Sequence, residues 1–151
     1  MKFTKAIPSD IPDLVELLKA LFDQEAEFEP NSEVQRKALS KIILEPKIGI
    51  ILVSKVDEKI VGMINLLFTQ STALGSKVAI LEDMVVLSKY RGKGIGSRLI
   101  DYAVGEAVKE GCLRITLLTD FENTKAQSLY QKKGFVKSQM TPYRLLLGKT
   151  P

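Results

Sequence analysis

The segment from Val78 to Thr119 constrains the fold more than any other part of this chain. Val78–Leu87 is a long apolar run rich in β-branched residues and reads as a strand. After the glycine-rich break Tyr90-Arg91-Gly92-Lys93-Gly94-Ile95-Gly96, apolar residues recur at helical spacing through Leu99, Ile100, Ala103, Val104, Ala107 and Val108, and Gly111 ends the series. Arg114–Thr119 then reads as another strand. A strand, a helix and a strand in direct succession form a β-α-β unit, which places the two strands parallel with a right-handed crossover.

The flanking sequence fills out a mixed sheet. Phe3–Ile7 suits a short first strand, and Asp10 is positioned to cap a helix carrying Ile11, Leu14, Leu17, Leu18, Leu21 and Phe22, with Pro12 in its first turn. Glu29-Pro30-Asn31-Ser32 breaks the chain before a second helix marked by Val34, Ala38, Leu39, Ile42 and Ile43. Ile48–Val56 and Ile60–Thr69, joined by Asp57-Glu58-Lys59, read as an antiparallel hairpin. A helix is expected over about Thr124–Lys132, stopped by Gly134, with strands at Phe135–Ser138 and Tyr143–Leu147. The order β-α-α-β-β-β-α-β-α-β-β describes one α+β domain over residues 1–151, of mixed three-layer design.

Several kinds of chemistry are closed to such a chain. It contains no histidine, which excludes Ser–His–Asp and Cys–His catalysis and the usual His-containing zinc sites. Acid–base work falls to Glu, Asp, Tyr, Lys or water. The single cysteine, Cys112, has no internal partner and suits a small apolar packing role. No apolar run approaches the roughly 20 residues of a membrane span, and no apolar segment of a signal peptide follows Met1–Lys5. A cytoplasmic protein that neither binds a membrane nor carries a metal is therefore expected. The net charge of +4 is modest beside the basic stripe of a nucleic-acid binder.

The glycine-rich break is the strongest chemical signal. Between a strand and a helix, free backbone N–H groups and the positive end of the helix dipole converge on one point and favour an anion. Lys89, Arg91, Lys93 and Arg98 crowd this helix start, where the dipole favours acidic residues, so a bound phosphate would relieve them. A Cβ at Gly94 or Gly96 would hinder close approach of backbone to phosphate. Taken alone, the string also fits a glycine-rich turn with solvated lysines. It is not a dinucleotide fingerprint, because Ser97 stands where glycine is needed, and no P-loop occurs.

Arg91-x-x-Gly94-x-Gly96 resembles the Arg/Gln-x-x-Gly-x-Gly/Ala motif of the GNAT N-acetyltransferases, in the same setting between strand and helix. Asn123-x-x-Ala126-x-x-x-Tyr130-x-x-x-Gly134-Phe135 is similar to the second cofactor motif of that superfamily. The resemblance spans about residues 78–138; Ser88 stands where many members carry proline. It implies a central, mostly antiparallel sheet with a splayed parallel strand pair and helices on both faces. It also implies acetyl-CoA as the cofactor. Arg91, Gly92, Lys93, Gly94, Ile95, Gly96 and Ser97 would cradle the pyrophosphate. Met84, Val85 and Val86, on a strand splaying from Arg114–Thr119, would offer backbone groups to the pantetheine arm, which Asn123 would also bind. Tyr130 would be the general acid for the leaving thiolate, and Gly134-Phe135 would end its helix and begin a strand.

Transfer to an amine requires a base, because an alkylamine with a pKa near 10.4 holds its proton at neutral pH. Glu82 and Asp83 interrupt the apolar strand as adjacent carboxylates, and alternation sends them to opposite faces, at least one of them partly buried. Burial would raise that carboxyl toward the range of a general base. By resemblance Glu82 is the base, directly or through water; a structural ion pair to a nearby lysine or arginine is the alternative for Glu82 and the favoured reading of Asp83, whose role stays open. The acceptor is a small-molecule amine. Asp23, Glu25, Glu27 and Glu29 suggest a cationic one such as a polyamine, although with Phe28 as an anchor they equally suit a solvated loop. Amino-acid, peptide and protein amines stay open, as does a module that binds CoA or another phosphate ligand without turnover. The apolar Tyr143–Leu147 needs a cover, which a homodimer through C-terminal strands would supply.

Overall fold

The computed structural model describes residues 1–23 and 31–148, so Glu25, Glu27, Phe28 and Glu29 lie outside the described residues. The chain divides into two compact units, residues 1–118 and a second from Thr119 onward. The first unit holds β1 (Lys2–Lys5), α1 (Ile11–Phe22), α2 (Ser32–Leu44), β2 (Gly49–Val56), β3 (Lys59–Ser71), β4 (Ser76–Val86), α3 (Ile95–Lys109) and β5 (Ile115–Leu117). Its five strands form one sheet in chain order, antiparallel from β1 to β4, with β5 parallel to β4. The parallel pair is the one that α3 connects, as the β-α-β reading requires.

Consecutive strand residues point to opposite faces, and Leu52 and Val53 are both wholly buried, so the sheet is covered on both sides. On one side Leu14, Leu17 and Leu18 of α1 and Leu39 of α2 pack with Ile51, Val53, Met63 and Val85. On the other, α3 buries Leu99, Ile100, Ala103 and Ala107, and its first residue Ile95 packs with Val61 and Val86. The start of α3 is thereby fixed against the end of β4. Burial of each such aliphatic side chain contributes about 1.5–3 kcal/mol.

Asp10 does not cap α1 as expected. Its carboxylate accepts hydrogen bonds from the Ile7 N–H at 2.9 Å and from Lys55 Nζ at 3.1 Å, closing the short 3-10 turn Pro8–Asp10 and tying it to β2. In the second unit, α4 (Thr124–Lys132) forms as expected, but residues 135–138 and 143–147 adopt no strand. Apolar, β-prone sequence makes a strand only where a neighbouring strand accepts its hydrogen bonds, and there is none among the described residues of this unit.

The β2–β3 connection is a two-residue turn: Val56 pairs with Lys59, and Asp57 and Glu58 between them have φ of 50° and 62°. Both residues are left-handed, as in a type I′ turn, which favours glycine at its second position. Glu58→Gly should remove about 1 kcal/mol of backbone strain. Thermal denaturation is expected to show Tm raised by about 2–4 °C; an unchanged or lowered Tm contradicts the assignment.

Candidate active site

The glycine-rich loop lies between β4 and α3 as the motif requires. It opens with a 3-10 turn, Ser88–Tyr90, in which the Tyr90 N–H donates to the Leu87 carbonyl at 2.8 Å and the Arg91 N–H to the Ser88 carbonyl at 3.1 Å. These bonds order the turn with Ser88 in place of proline. Gly92 and Gly94 have φ of 74° and 77°, the left-handed region that glycine enters without strain. Open space, with no atom within 4 Å, lies where a Cβ on either would point. Gly96 differs: with Ser97 it belongs to the first turn of α3. No side chain caps α3, so its first backbone N–H groups face outward at the positive end of the helix dipole.

The four cations expected here divide their tasks. Lys89 and Lys93 bring their ammonium groups to 5.1 and 5.5 Å from the centroid of the Tyr90 ring, concentrating positive charge beside the uncapped helix start. Arg91 braces the loop, its Nε–H donating to the Val86 carbonyl at 2.8 Å. Arg98 lies over the Phe3 ring at 5.3 Å, engaged with β1.

The splay expected between β4 and its parallel neighbour is present. Their pairing covers only Ala79–Leu81 against Ile115–Leu117, whereas β4 continues to Val86. Val85 and Val86 remain paired with Met63 and Gly62 of β3. Beyond Leu81, β4 therefore keeps its β3 partner on one side and has no β5 partner on the other.

A β-bulge occurs at the same point. Asn65 pairs with Glu82 and Met63 with Val85, so Asp83 and Met84 together oppose the single residue Ile64. Asp83 takes the left-handed conformation, φ 54°, and Asn65 Nδ2 donates to its Oδ2 at 3.2 Å. Burial, chiefly, pushes the Asp83 carboxyl up from 3.8 to about 6; the Asn65 hydrogen bond opposes the rise and the Glu82 charge adds to it. Glu82 itself is exposed. The partly buried carboxylate expected on this strand is thus Asp83, which is half-buried and held by an amide rather than by an ion pair. The signal for Asn65 was its position as the sole polar side chain in the run Ile60–Phe68.

In the second unit Asn123 caps α4, its Oδ1 accepting from the Ala126 N–H at 3.1 Å, which leaves its amide N–H groups as donors for a ligand. Gln127 fastens the preceding loop by donating to the Asp120 and Phe121 carbonyls at 3.0 and 2.9 Å. Tyr130 stacks edge-on against Phe135 with centroids 5.9 Å apart, and burial raises its hydroxyl above the ordinary phenol value. Gly134, φ 94°, ends the helix without leading into a strand. Cys112 is half-buried, and burial pushes its thiol up, away from the reactive thiolate.

The Acetyltransferase (GNAT) family profile matches residues 11–135. An uncharacterized N-acetyltransferase of Bacillus subtilis (strain 168), YhfO, is 34% identical over 117 residues, covering 76% of this chain and 78% of that one. The thialysine N-epsilon-acetyltransferase of Mus musculus is 39% identical over 67 residues, 44% of this chain and 39% of its own length. A solved structure of a putative acetyltransferase from Agrobacterium tumefaciens superposes with a TM-score of 0.81 at 25% identity, covering 97% of this chain and all of that one. With both motifs, the splayed strand pair and a profile match over most of its length, the chain belongs to the GNAT family of acetyltransferases.

Proposed function

We propose that this protein acetylates a small cationic amine with acetyl-CoA by direct transfer while both are bound. The observation that carries this reading is the uncapped start of α3, bordered by left-handed Gly92 and Gly94 and by the paired cations Lys89 and Lys93. Outward N–H groups, a positive dipole end and two ammonium groups suit a pyrophosphate. Acetyl-CoA, when bound there, supplies an activated acetyl group that passes from sulfur to nitrogen with release of the free thiol.

The protein's residues supply orientation and protons. Backbone groups of Met84, Val85 and Val86, on the β4 edge that β5 leaves free, suit the amide-bearing arm of the cofactor, and the Asn123 amide offers a further donor. The Tyr130 hydroxyl, raised by burial, keeps its proton at neutral pH and can give it to the departing sulfur. The acceptor ammonium loses its proton to the Glu82-Asp83 segment of β4, where β5 stops pairing. A small cationic acceptor is favoured by the likeness to the thialysine enzyme, whose name specifies an epsilon nitrogen, and by the acidic run from Asp23 to Glu29.

Gly94→Asp places a Cβ at φ 77° and a negative charge where the phosphates would lie. Calorimetry should show CoA affinity reduced at least about a hundredfold with the fold retained; a folded variant binding CoA like the parent is evidence against this site. Tyr130→Phe is expected to lower kcat by about 10²–10⁴-fold with little change in CoA affinity. An unchanged kcat across pH 6–10 would reduce Tyr130 to a packing residue.

Thiol release measured with spermidine, spermine, putrescine and neutral-side-chain amino acids tests the acceptor class. Polyamines should give the higher kcat/KM, with a KM that rises with salt and rises further in Glu25→Gln/Glu27→Gln. No polyamine advantage would shift the assignment to amino-acid or peptide amines, and no release with any amine would leave a CoA-binding module.

A further inference from the structure

We propose that Asp83, rather than Glu82, takes the proton from the acceptor ammonium, and that Asn65 is the positioning residue serving the Asp83 carboxyl in both of its protonation states. This inference rests on the N-acetyltransferase reading above. Its starting point is the bulge: the extra residue in β4 rotates Asp83 out of strand alternation and brings its carboxylate within hydrogen-bonding distance of Asn65 on β3. A non-glycine residue at φ 54° is strained, and the surrounding ladder on either side of the bulge holds it there.

Asn65 supplies the second observation. It is only 3% exposed, and its Oδ1 is buried without a hydrogen-bond partner. A buried carbonyl left in that condition is costly. Protonation of Asp83 changes the situation, because the new O–H needs an acceptor and the Asn65 amide, turned over about its terminal torsion, presents Oδ1 where Nδ2 had been. The same side chain thus donates to the carboxylate and accepts from the carboxylic acid. In the transfer, an N–H bond of the acceptor ammonium breaks, an O–H bond forms on Asp83, and the nitrogen keeps the electron pair with which it attacks the acetyl carbon.

The charged surroundings are simple. The α1 face packed toward β4 presents Leu14, Leu17 and Leu18, while Asp13, Glu16 and Lys19 of that helix are exposed. On α3, Arg98 and Asp101 are exposed, and the buried Glu106 is paired with Lys5 and Lys109. β5 contributes no charge. Glu82 is the neighbouring charge that raises Asp83. With its carboxyl at about 6, Asp83 is ionised at pH 7 by about ten to one and yet is about a hundredfold better proton acceptor than a carboxylate at 3.8.

Asp83→Asn fits the left-handed conformation and keeps the contact with Asn65, so the fold should survive. Its kcat should fall about 10²–10⁴-fold while CoA affinity by calorimetry stays that of the parent. Glu82→Gln should lose less than about tenfold, and its acid limb should move to lower pH, because the neighbouring charge that raises Asp83 is gone. Asn65→Leu removes the bond that favours the carboxylate. The carboxyl resonance of Asp83 should then titrate higher than in the parent, the acid limb of kcat/KM should rise with it, and activity should recover toward pH 9. Parent-like turnover in Asp83→Asn, or a loss in Glu82→Gln as large as that expected for Asp83→Asn, would overturn the assignment of the base. An acid limb and carboxyl titration unmoved in Asn65→Leu would overturn the role of Asn65. If the parent binds no CoA and releases no thiol, the enzymatic reading fails instead, while the carboxyl titrations in the parent and Asn65→Leu still report on the pair.

Discussion

The parallel pairing of β4 with β5 stops at Leu81, and the rest of the site depends on that stop. A strand paired along its whole length offers no backbone to a ligand. β4 runs five residues past its last β5 partner, and β3 holds that stretch through pairs at Glu82, Val85 and Val86 on either side of the bulge. The Arg91 guanidinium, bonded to the Val86 carbonyl, then joins the end of the strand to the loop that follows. Ile95, packed on Val61 and Val86, fixes where α3 begins. The glycine-rich loop, the open edge and the bulge therefore lie on one continuous stretch of the first unit, in which geometry at one point constrains the others.

Much of this was legible in the sequence, for identifiable reasons. The β-α-β unit and the hairpin rest on long periodic segments, and their elements form within about two residues of the expected bounds. Gly94 is readable because a left-handed residue before a helix favours glycine, whereas Gly96, which the motif marks equally, sits in the first turn of α3 and Gly92 supplies the other left-handed position. Three features were hidden. The bulge depends on register, which no local pattern in Ile80–Val86 reveals, so alternation alone does not show which member of the Glu82-Asp83 pair is the less exposed. Asp10 has the local pattern of a cap for the helix after it, but Lys55, forty-five residues away, and the Ile7 N–H claim its carboxylate. Apolar character in 135–147 signals a need for burial without specifying a partner strand, and strands were expected where none form.

A chain without histidine has no imidazole to titrate near neutrality, and burial of a carboxylate is one route to such a group. The move has a cost whose sign can be worked out. Asp83 titrates at about 6 in the folded protein against 3.8 as a free side chain, so folding disfavours its ionised form. The penalty is absent below pH 3.8, where the group is protonated in both states. It grows as pH rises and is complete above about 6, reaching roughly 3 kcal/mol by linkage. The left-handed backbone at Asp83 adds about 1 kcal/mol. Against a net stability on the order of 5–15 kcal/mol, these are large sums for one residue. They are offset by the cluster on the same stretch of sheet, where Leu14, Leu17, Met63 and Val85 are at most 4% exposed. The molecule is thus least stable at this point in the pH range where the carboxylate is ionised and able to accept a proton. A group serving only to hold β3 to β4 would gain from the opposite arrangement, an amide at position 83 that bonds Asn65 without ionising.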